Sequence, residues 1–197
     1  MGLEPGSLMG EAELRGQLGA CGRGLKVYQG CRMVPARRVW IGDYTQVDEG
    51  VRIYAGEEVR IGRHVHLAID CCISGGGWCE IGDHAGISGG VRILTGTEDI
   101  RGGLTNPTVP AEMRRVRRER TRIGAHALIF TGTMVLPGVT VGEGAVVAAG
   151  SVVHRDLEPW KVYAGNPLVC VGTREREAIL AMAEDLARQE AARERLS

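Results

Sequence analysis

Residues 123–153 read IGAHALIFTGTMVLPGVTVGEGAVVAAGSVV and repeat with a period of six residues. An α-helix repeats every ~3.6 residues and a β-strand every ~2, so neither produces this period. A coil of three short strands does, because each hexad then forms one flat side of a triangular rung. Rungs of this kind stack through backbone pairing at about 4.8 Å. The residues predicted to point inward are Ile123, Ile129, Val135, Val141, Val147 and Val153.

The same pattern begins at residue 41, where three earlier rungs recur every 20 residues. A two-residue extension, Val59-Arg60 or Cys79-Glu80, precedes each new Ile-Gly pair. All fifteen predicted inward sites are Ile, Leu or Val, so the chain is predicted to be an all-β solenoid. The earlier inward sites are Ile41, Val47, Ile53, Ile61, Leu67, Ile73, Ile81, Ile87 and Ile93.

The pattern predicts three parts: an N-terminal cap (1–40), a β-helix (41–163) with an inserted loop (99–122), and a C-terminal turn and helix (164–197). In the cap, Ser7 is a candidate N-cap for a short helix through Leu18 that covers the open first rung. Residues 23–40 are ambiguous and could form an irregular first rung. Thr173 is a candidate N-cap for the C-terminal helix.

The amino-acid composition limits the possible classes of protein. The 197 residues include 30 glycines and one phenylalanine, which suits one narrow solenoid better than an aromatic core. The formal net charge is zero, so no global field recruits a nucleic acid polymer. No apolar run is long enough to span a membrane. The six cysteines form no CxxC pair, so we expect a reduced, cytoplasmic protein.

The inserted loop carries six arginines within residues 114–122. Loops this long inside a compact repeat are usually functional or lie at an interface. Two interpretations stay open. The arginines could form a solvated or subunit-contacting face, or they could clamp the phosphates of a diphosphate or a cofactor.

The hexads, the insertion and the sequence PGVTVGEGAVVAAGSVV followed by VYAGNP resemble the hexapeptide-repeat acyltransferases over residues 41–170. That resemblance implies a left-handed parallel β-helix and a cytoplasmic homotrimer. It also implies acetyl-CoA or another acyl-CoA as co-substrate, and active sites between subunits.

The segment GTEDIRGGLTNPTVPAEMRRV is similar to a narrower group, the N-acyltransferases of nucleotide-linked 4-amino-4,6-dideoxy sugars, including the anthrose-pathway type. The chain is also compatible with the galactoside and maltose O-acetyltransferase branch. In that branch a catalytic histidine follows a Thr-Gly dipeptide, and here Thr97 stands in its place. A hydroxyl acceptor needs such a base more than an amine does, so the amino-sugar prediction is favoured.

An amine nucleophile must lose one proton, and a carboxylate can hold and orient it. Asp99 is the first candidate for this role and Glu98 the second; the alternative is a pair of solvated loop acids. Ser88 is a candidate for the same cleft, although it could be an ordinary turn serine. Thr97 and Asn106 are the other candidate substrate-binding residues.

The rung spacing also places Tyr44, His64, His84 and His126 at one outward position, as a column with steps of about 4.8 Å. Three interpretations stay open: a surface or interface column, a base or substrate contact at His126, or a zinc site. Hexapeptide-repeat carbonic anhydrases bind zinc through histidines, but their histidine pattern is not reproduced here, so no metal is expected.

The resemblance further implies candidate cofactor residues. Thr131 and Ala149 align with positions that contact the pantetheine arm of CoA. His154 and Arg155 stand near the expected CoA phosphates, with Lys161 as a further candidate. The leading prediction is an acyl-CoA-dependent N-acyltransferase that acts on the amine of a nucleotide-linked amino sugar. The alternatives are a sugar O-acetyltransferase, a metal-dependent hydratase and a non-catalytic trimeric scaffold.

Overall fold

A computed structural model describes residues 7–195, which form a parallel β-helix of about seven rungs. Three sheets make its sides, and the strands of successive rungs pair in parallel, as the six-residue period predicts. Sheet I contains β1 (Ala20–Cys21), β4 (Val39–Ile41), β7 (Val59–Ile61), β10 (Trp78–Ile81), β15 (Arg120–Ile123) and β18 (Thr140–Val141).

Sheet II follows sheet I within each rung. It contains β2 (Lys26–Val27), β5 (Gln46–Val47), β8 (His66–Leu67), β11 (Gly86–Ile87), β16 (Leu128–Ile129), β19 (Val146–Val147), β21 (Lys161–Ala164) and β22 (Val169–Thr173). Sheet III completes the rung. It contains β3 (Arg32–Val34), β6 (Arg52–Tyr54), β9 (Cys72–Ser74), β12 (Arg92–Leu94), β17 (Met134–Val135) and β20 (Val152–Val153).

The interior of the β-helix is a column of aliphatic side chains. All fifteen predicted inward residues are buried, with at most 4% of their surface exposed. The small residues between them are buried too, among them Ala127, Ala145 and Cys71. Burial raises the pKa of the Cys71 thiol to about 11, so this side chain packs as a small hydrophobe.

The inserted segment returns to the solenoid in register. Ile81 pairs with Ile61 on one side and with Ile123 on the other. Ile123 pairs in register although it comes 42 residues after Ile81 in the sequence. The insertion leaves after β12 as an antiparallel two-stranded arm, β13 (Gly96–Glu98) paired with β14 (Val116–Arg118). A single helical turn, Ala111–Met113, lies in the loop at its tip.

The N-terminal region contains a regular rung. Strands β1, β2 and β3 pair with β4, β5 and β6, so residues 20–34 already follow the three-sheet register. Helix α1 (Glu11–Gln17) begins after Gly10, with no side-chain cap, so Ser7 does not cap it. Its Leu14 and the following Leu18 are buried against the first rung.

The C-terminal helix α2 (Glu177–Glu194) starts later than predicted. Thr173 is the last residue of β22, which folds back antiparallel on β21, so the hairpin occupies the residues expected to begin the helix. Helix α2 then lies along the outside of the β-helix, where Arg63 donates to Glu190. Within residues 7–195 no helix is both long and apolar enough to cross a membrane.

Candidate active site

The predicted site residues lie on all three corners of the solenoid. Corner I–II joins sheets I and II and carries His126. Corner II–III carries Ser88 after β11, and Thr131 after β16. Corner III–I carries the arm, with Glu98 in β13 and Asp99 next to it.

The arm presents two distinct faces, because neighbouring residues of a strand point to opposite sides. Glu98 lies opposite Val116 and therefore shares a face with it and with Arg118. The Arg118 side chain lies over Gly76, in the corner that follows the third rung. We call this the lower face. Thr97 and Arg117 belong to the upper face, which also carries Glu119 beside Gly138 of a later rung.

Glu98 holds a carboxylate that is only half satisfied. Arg114 donates to its Oε1 from Nε at 3.1 Å and from a second guanidinium nitrogen. Its Oε2 is buried and accepts no hydrogen bond from any residue of the described range 7–195. A buried polar atom without a partner costs free energy unless a ligand or water satisfies it. Glu98 is therefore prepared to accept a hydrogen bond from a bound molecule.

Asp99 has a different environment, because it follows Glu98 and points to the other face. It accepts hydrogen bonds from the side chain and the backbone N–H of Arg101, at 3.1 and 3.0 Å. These hydrogen bonds hold the pKa of Asp99 below its usual value. Both carboxylate oxygens of Asp99 thus have a local partner, so Asp99 offers an incoming amine less than Glu98 does, and its predicted role is untested.

Thr97 and Asn106 make only local contacts. Thr97 is exposed, and its hydroxyl lies 3.5 Å from the Glu98 carbonyl oxygen. Asn106 Oδ1 accepts from the backbone N–H of Thr108 at 3.0 Å and from its hydroxyl, so it stabilises the turn at Pro107.

Corner II–III brings three predicted residues onto successive rungs. Ser88, Thr131 and Ala149 follow β11, β16 and β19, and the Thr131 carbonyl accepts from the Gly150 N–H at 2.9 Å. The Ser88 hydroxyl forms no hydrogen bond with any residue from 7 to 195 and is free to donate. Thr131 and Ala149 are exposed, so a chain-like ligand could lie across both.

Ser88 and Glu98 do not meet within one chain. Ser88 precedes β12 and Glu98 follows it, so they lie at the two ends of one side of the triangle. The remaining cofactor candidates are also dispersed. His154 and Arg155 are exposed at corner III–I, whereas the Lys161 amine lies on sheet II, 3.3 Å from the Thr173 hydroxyl.

Corner I–II confirms the predicted column and extends it. The rings of His64, His84 and His126 stack at 5.0 Å between centroids and are nearly parallel. Tyr44 stacks below at 5.1 Å, and Trp160 above at 6.2 Å. Trp160 was not predicted, because residues 157–160 (LEPW) lack the glycine that marks the other rungs. Leu157 nevertheless pairs with Val141 and stands three residues before Trp160, as Ile123 stands three residues before His126.

Helix α2 covers this column. Glu190 is only 8% exposed, and its carboxylate lies 2.7 Å from Arg63 Nη2 and 2.8 Å from His64 Nε2. Arg174 donates to the His126 carbonyl oxygen. Burial, then the charges of His126 and His64, lower the pKa of His84. Stacked rings do not aim their nitrogens at one point, and within residues 7–195 no cluster of three or more potential ligands could hold a metal.

The comparisons with known proteins agree with this fold. A family model described as bacterial transferase hexapeptide (six repeats) matches residues 120–155. The dTDP-4-amino-4,6-dideoxy-D-glucose acyltransferase of Escherichia coli is 31% identical over 160 residues, which are 80% of this chain and 83% of that protein. The chain therefore belongs to the hexapeptide-repeat acyltransferases, and it is an acyltransferase.

Solved structures show the same architecture. AntD, an N-acyltransferase from Bacillus cereus solved with dTDP-4-amino-4,6-dideoxyglucose and coenzyme A, superposes with a TM-score of 0.86. The identity is 24%, and the alignment covers 93% of this chain and 98% of AntD. A maltose O-acetyltransferase from Clostridium difficile reaches only 0.59, at 24% identity over 84% of this chain and 75% of the other.

Proposed function

We propose that the protein is an acyl-CoA-dependent N-acyltransferase acting on the amine of a dTDP-linked amino sugar. The observation that carries this proposal is Glu98, whose Oε1 is held by Arg114 while its buried Oε2 has no partner among residues 7–195. An amine offers the hydrogen-bond donor that this oxygen lacks. The names of the relatives from Escherichia coli and Bacillus cereus support the same substrate class.

The chemistry needs a positioned nucleophile more than a strong base. In the proposed reaction Glu98 holds the neutral amine, and the nitrogen forms a bond to the thioester carbonyl carbon. The carbon–sulfur bond then breaks, and the proton lost from nitrogen ends on the departing CoA sulfur. A thiol has a pKa of about 8.5, so this departure needs little acid assistance. A sugar hydroxyl would need a base, and Thr97 cannot supply one.

The site is proposed to lie between subunits of a homotrimer. The Ser88 hydroxyl has no hydrogen-bond partner among residues 7–195 and could donate to the developing oxyanion, but it sits one side of the triangle away from Glu98. A neighbouring chain can bring its Ser88 to this arm. The spacing supports the pair: AntD variants were made at a serine and at an aspartate ten residues later, and Glu98 follows Ser88 by the same interval.

The acyl-CoA is proposed to run along corner II–III. Thr131 and Ala149 are small, exposed and stacked there, and AntD has been solved with 3-hydroxybutyryl-CoA. His154 and Arg155 are proposed to meet CoA phosphates from the next corner, and Lys161 is a further candidate. A cytoplasmic location is proposed as well, in keeping with six free cysteines in the described chain.

Replacing each acid by its amide tests the proposal. Glu98→Gln keeps the shape and the contact with Arg114 but turns one oxygen into a donor, so we expect kcat/KM for the amino sugar to fall about 100-fold or more. Asp99→Asn serves as the matched control and should stay within about threefold of wild type. A large loss in Asp99→Asn with near-normal Glu98→Gln would move the amine site to the upper face.

A further inference from the structure

Among residues 7–195 two arginines of the insertion, Arg115 and Arg118, form no side-chain hydrogen bond, ion pair or stacking contact with an aromatic ring, and of these only Arg118 pairs in the arm on the face of Glu98. Arg114 contacts Glu98, Arg117 lies 2.7 Å from Glu119, and Arg122 lies 3.6 Å from Glu80. The Arg120 guanidinium stacks on Trp78, 3.8 Å from the ring centroid. Within residues 7–195 the side chain of Arg118 forms neither a hydrogen bond nor an ion pair, although it is held in place over Gly76.

The position of Arg118 relative to Glu98 is fixed by the arm. Arg118 lies directly opposite Gly96, and Glu98 is two residues further along the same face. The Cα atoms of such diagonal neighbours are about 7–8 Å apart. Gly96 has no side chain, so Val116 is the only other side chain of the paired residues on the face that Glu98 and Arg118 share.

The surface beneath Arg118 is bare backbone. Gly75 and Gly76 have φ values of +116° and +78°, a region that side chains rarely adopt. A Cβ on Gly76 would lie only 3.1 Å from Arg118 Nε. The glycine corner therefore lets the Arg118 side chain approach the backbone closely, and Arg118 stays exposed.

We propose that Arg118 binds the diphosphate of the acceptor, an inference that rests on the proposed function. A guanidinium is well suited to two phosphate oxygens at once. In a 4-amino sugar linked through C1, the amine and the first phosphate lie on opposite sides of one pyranose ring. Glu98 and Arg118 lie on one face of the arm as diagonal neighbours, so one arm presents a group for each end of the amino-sugar diphosphate.

CoA also carries a diphosphate, but its proposed position is different. Thr131 and Ala149 belong to the fifth and sixth rungs, whereas Gly76 follows the third, and the lower face looks toward the earlier rungs. Arg118 is therefore assigned to the diphosphate of the acceptor and not to that of CoA.

Kinetics of Arg118→Gln against Arg117→Gln test this assignment, since Arg117 lies on the same strand but on the upper face. Loss of a charged hydrogen bond is worth about tenfold to a hundredfold in binding. We expect Arg118→Gln to raise the KM for the dTDP-amino sugar by such a factor, with kcat within about twofold and the KM for acyl-CoA unchanged. Arg117→Gln should leave all three unchanged.

Calorimetric titration with dTDP alone separates this inference from the proposed function. If the wild type acylates no amino-sugar nucleotide, the proposed function fails. In that case, weaker dTDP binding by Arg118→Gln together with unchanged binding by Arg117→Gln would still support the anion site. The assignment would be overturned if dTDP binding weakened equally in both variants or if the Kd of Arg118→Gln for dTDP were unchanged. A change confined to the KM for acyl-CoA would overturn it as well.

Discussion

Glu98 and Asp99 are consecutive residues that project from opposite faces of the arm. Glu98 lies on the lower face, and its buried Oε2 accepts no hydrogen bond within residues 7–195, whereas the Asp99 carboxylate is bound by Arg101. A single acceptor amine cannot use both. The register of β13 against β14 decides this, because a slip of one residue would exchange the two faces.

Mixing two variants tests whether an active site of the proposed homotrimer draws on two subunits. Ser88→Ala and Glu98→Gln should each be nearly inactive alone. In a trimer that contains both variants, one of the three interfaces joins an intact Ser88 to an intact Glu98 of the neighbour. We therefore expect co-refolding at equal amounts to restore about a quarter of wild-type kcat/KM. Mixing that restores nothing would place both residues of a site in one chain.

Glu190 should anchor helix α2. Its buried carboxylate contacts Arg63 and His64, so Glu190→Gln leaves these groups without their charged partner. We expect the free energy of unfolding in urea to fall by about 1–3 kcal/mol, less than for a fully buried pair because Arg63 is 40% exposed.

Glu184→Gln is the matched control for this helix. Glu184 is 74% exposed and lies 4.0 Å from Arg188, so its removal should change the free energy of unfolding by less than about 0.5 kcal/mol. Equal effects of the two substitutions would show that the Glu190 contact does not hold the helix.

His84 should make stability depend on mildly acidic pH. Its folded-state pKa lies below the unfolded value of about 6.5, so between those two pKa values the unfolded chain binds more protons. The free energy of unfolding should therefore fall as the pH drops from 7.5 through 6.5, and it should level off below the folded pKa.

Replacing His84 by Asn isolates that contribution. Asn tolerates the left-handed backbone at this corner, where φ is +59°, and it does not titrate. We expect urea unfolding of His84→Asn to lose less stability than wild type between pH 7.5 and 5.5. An identical loss in both proteins would contradict the effect of His84.

The repeat made most of the fold predictable, because every inward site carries an aliphatic residue at a fixed spacing. Ile61, Ile81 and Ile123 had to align for their side chains to be buried, so the sheet register and the histidine column followed from spacing alone. The N-terminal rung was harder to recognise, since Met33 and Val27 do not belong to an Ile-Gly hexad.

The candidate site was less predictable, since no period governs the arm. Proximity in sequence grouped Glu98 with Asp99, and only the pairing of Gly96 with Arg118 separates them by face. Likewise the C-terminal hairpin, rather than a helix cap, uses Thr173. These outcomes depend on pairing between segments, which local sequence does not fix.

The most direct measurement compares two acceptors that differ at one atom. The protein is incubated with acetyl-CoA and either dTDP-4-amino-4,6-dideoxyglucose or its 4-hydroxy counterpart, and free CoA thiol is measured over time. We expect rapid thiol release and an N-acetylated product with the amine, and only background hydrolysis with the hydroxyl. Comparable turnover of the hydroxy sugar, or none of the amine, would contradict the assignment of this protein as a dTDP-amino-sugar N-acyltransferase.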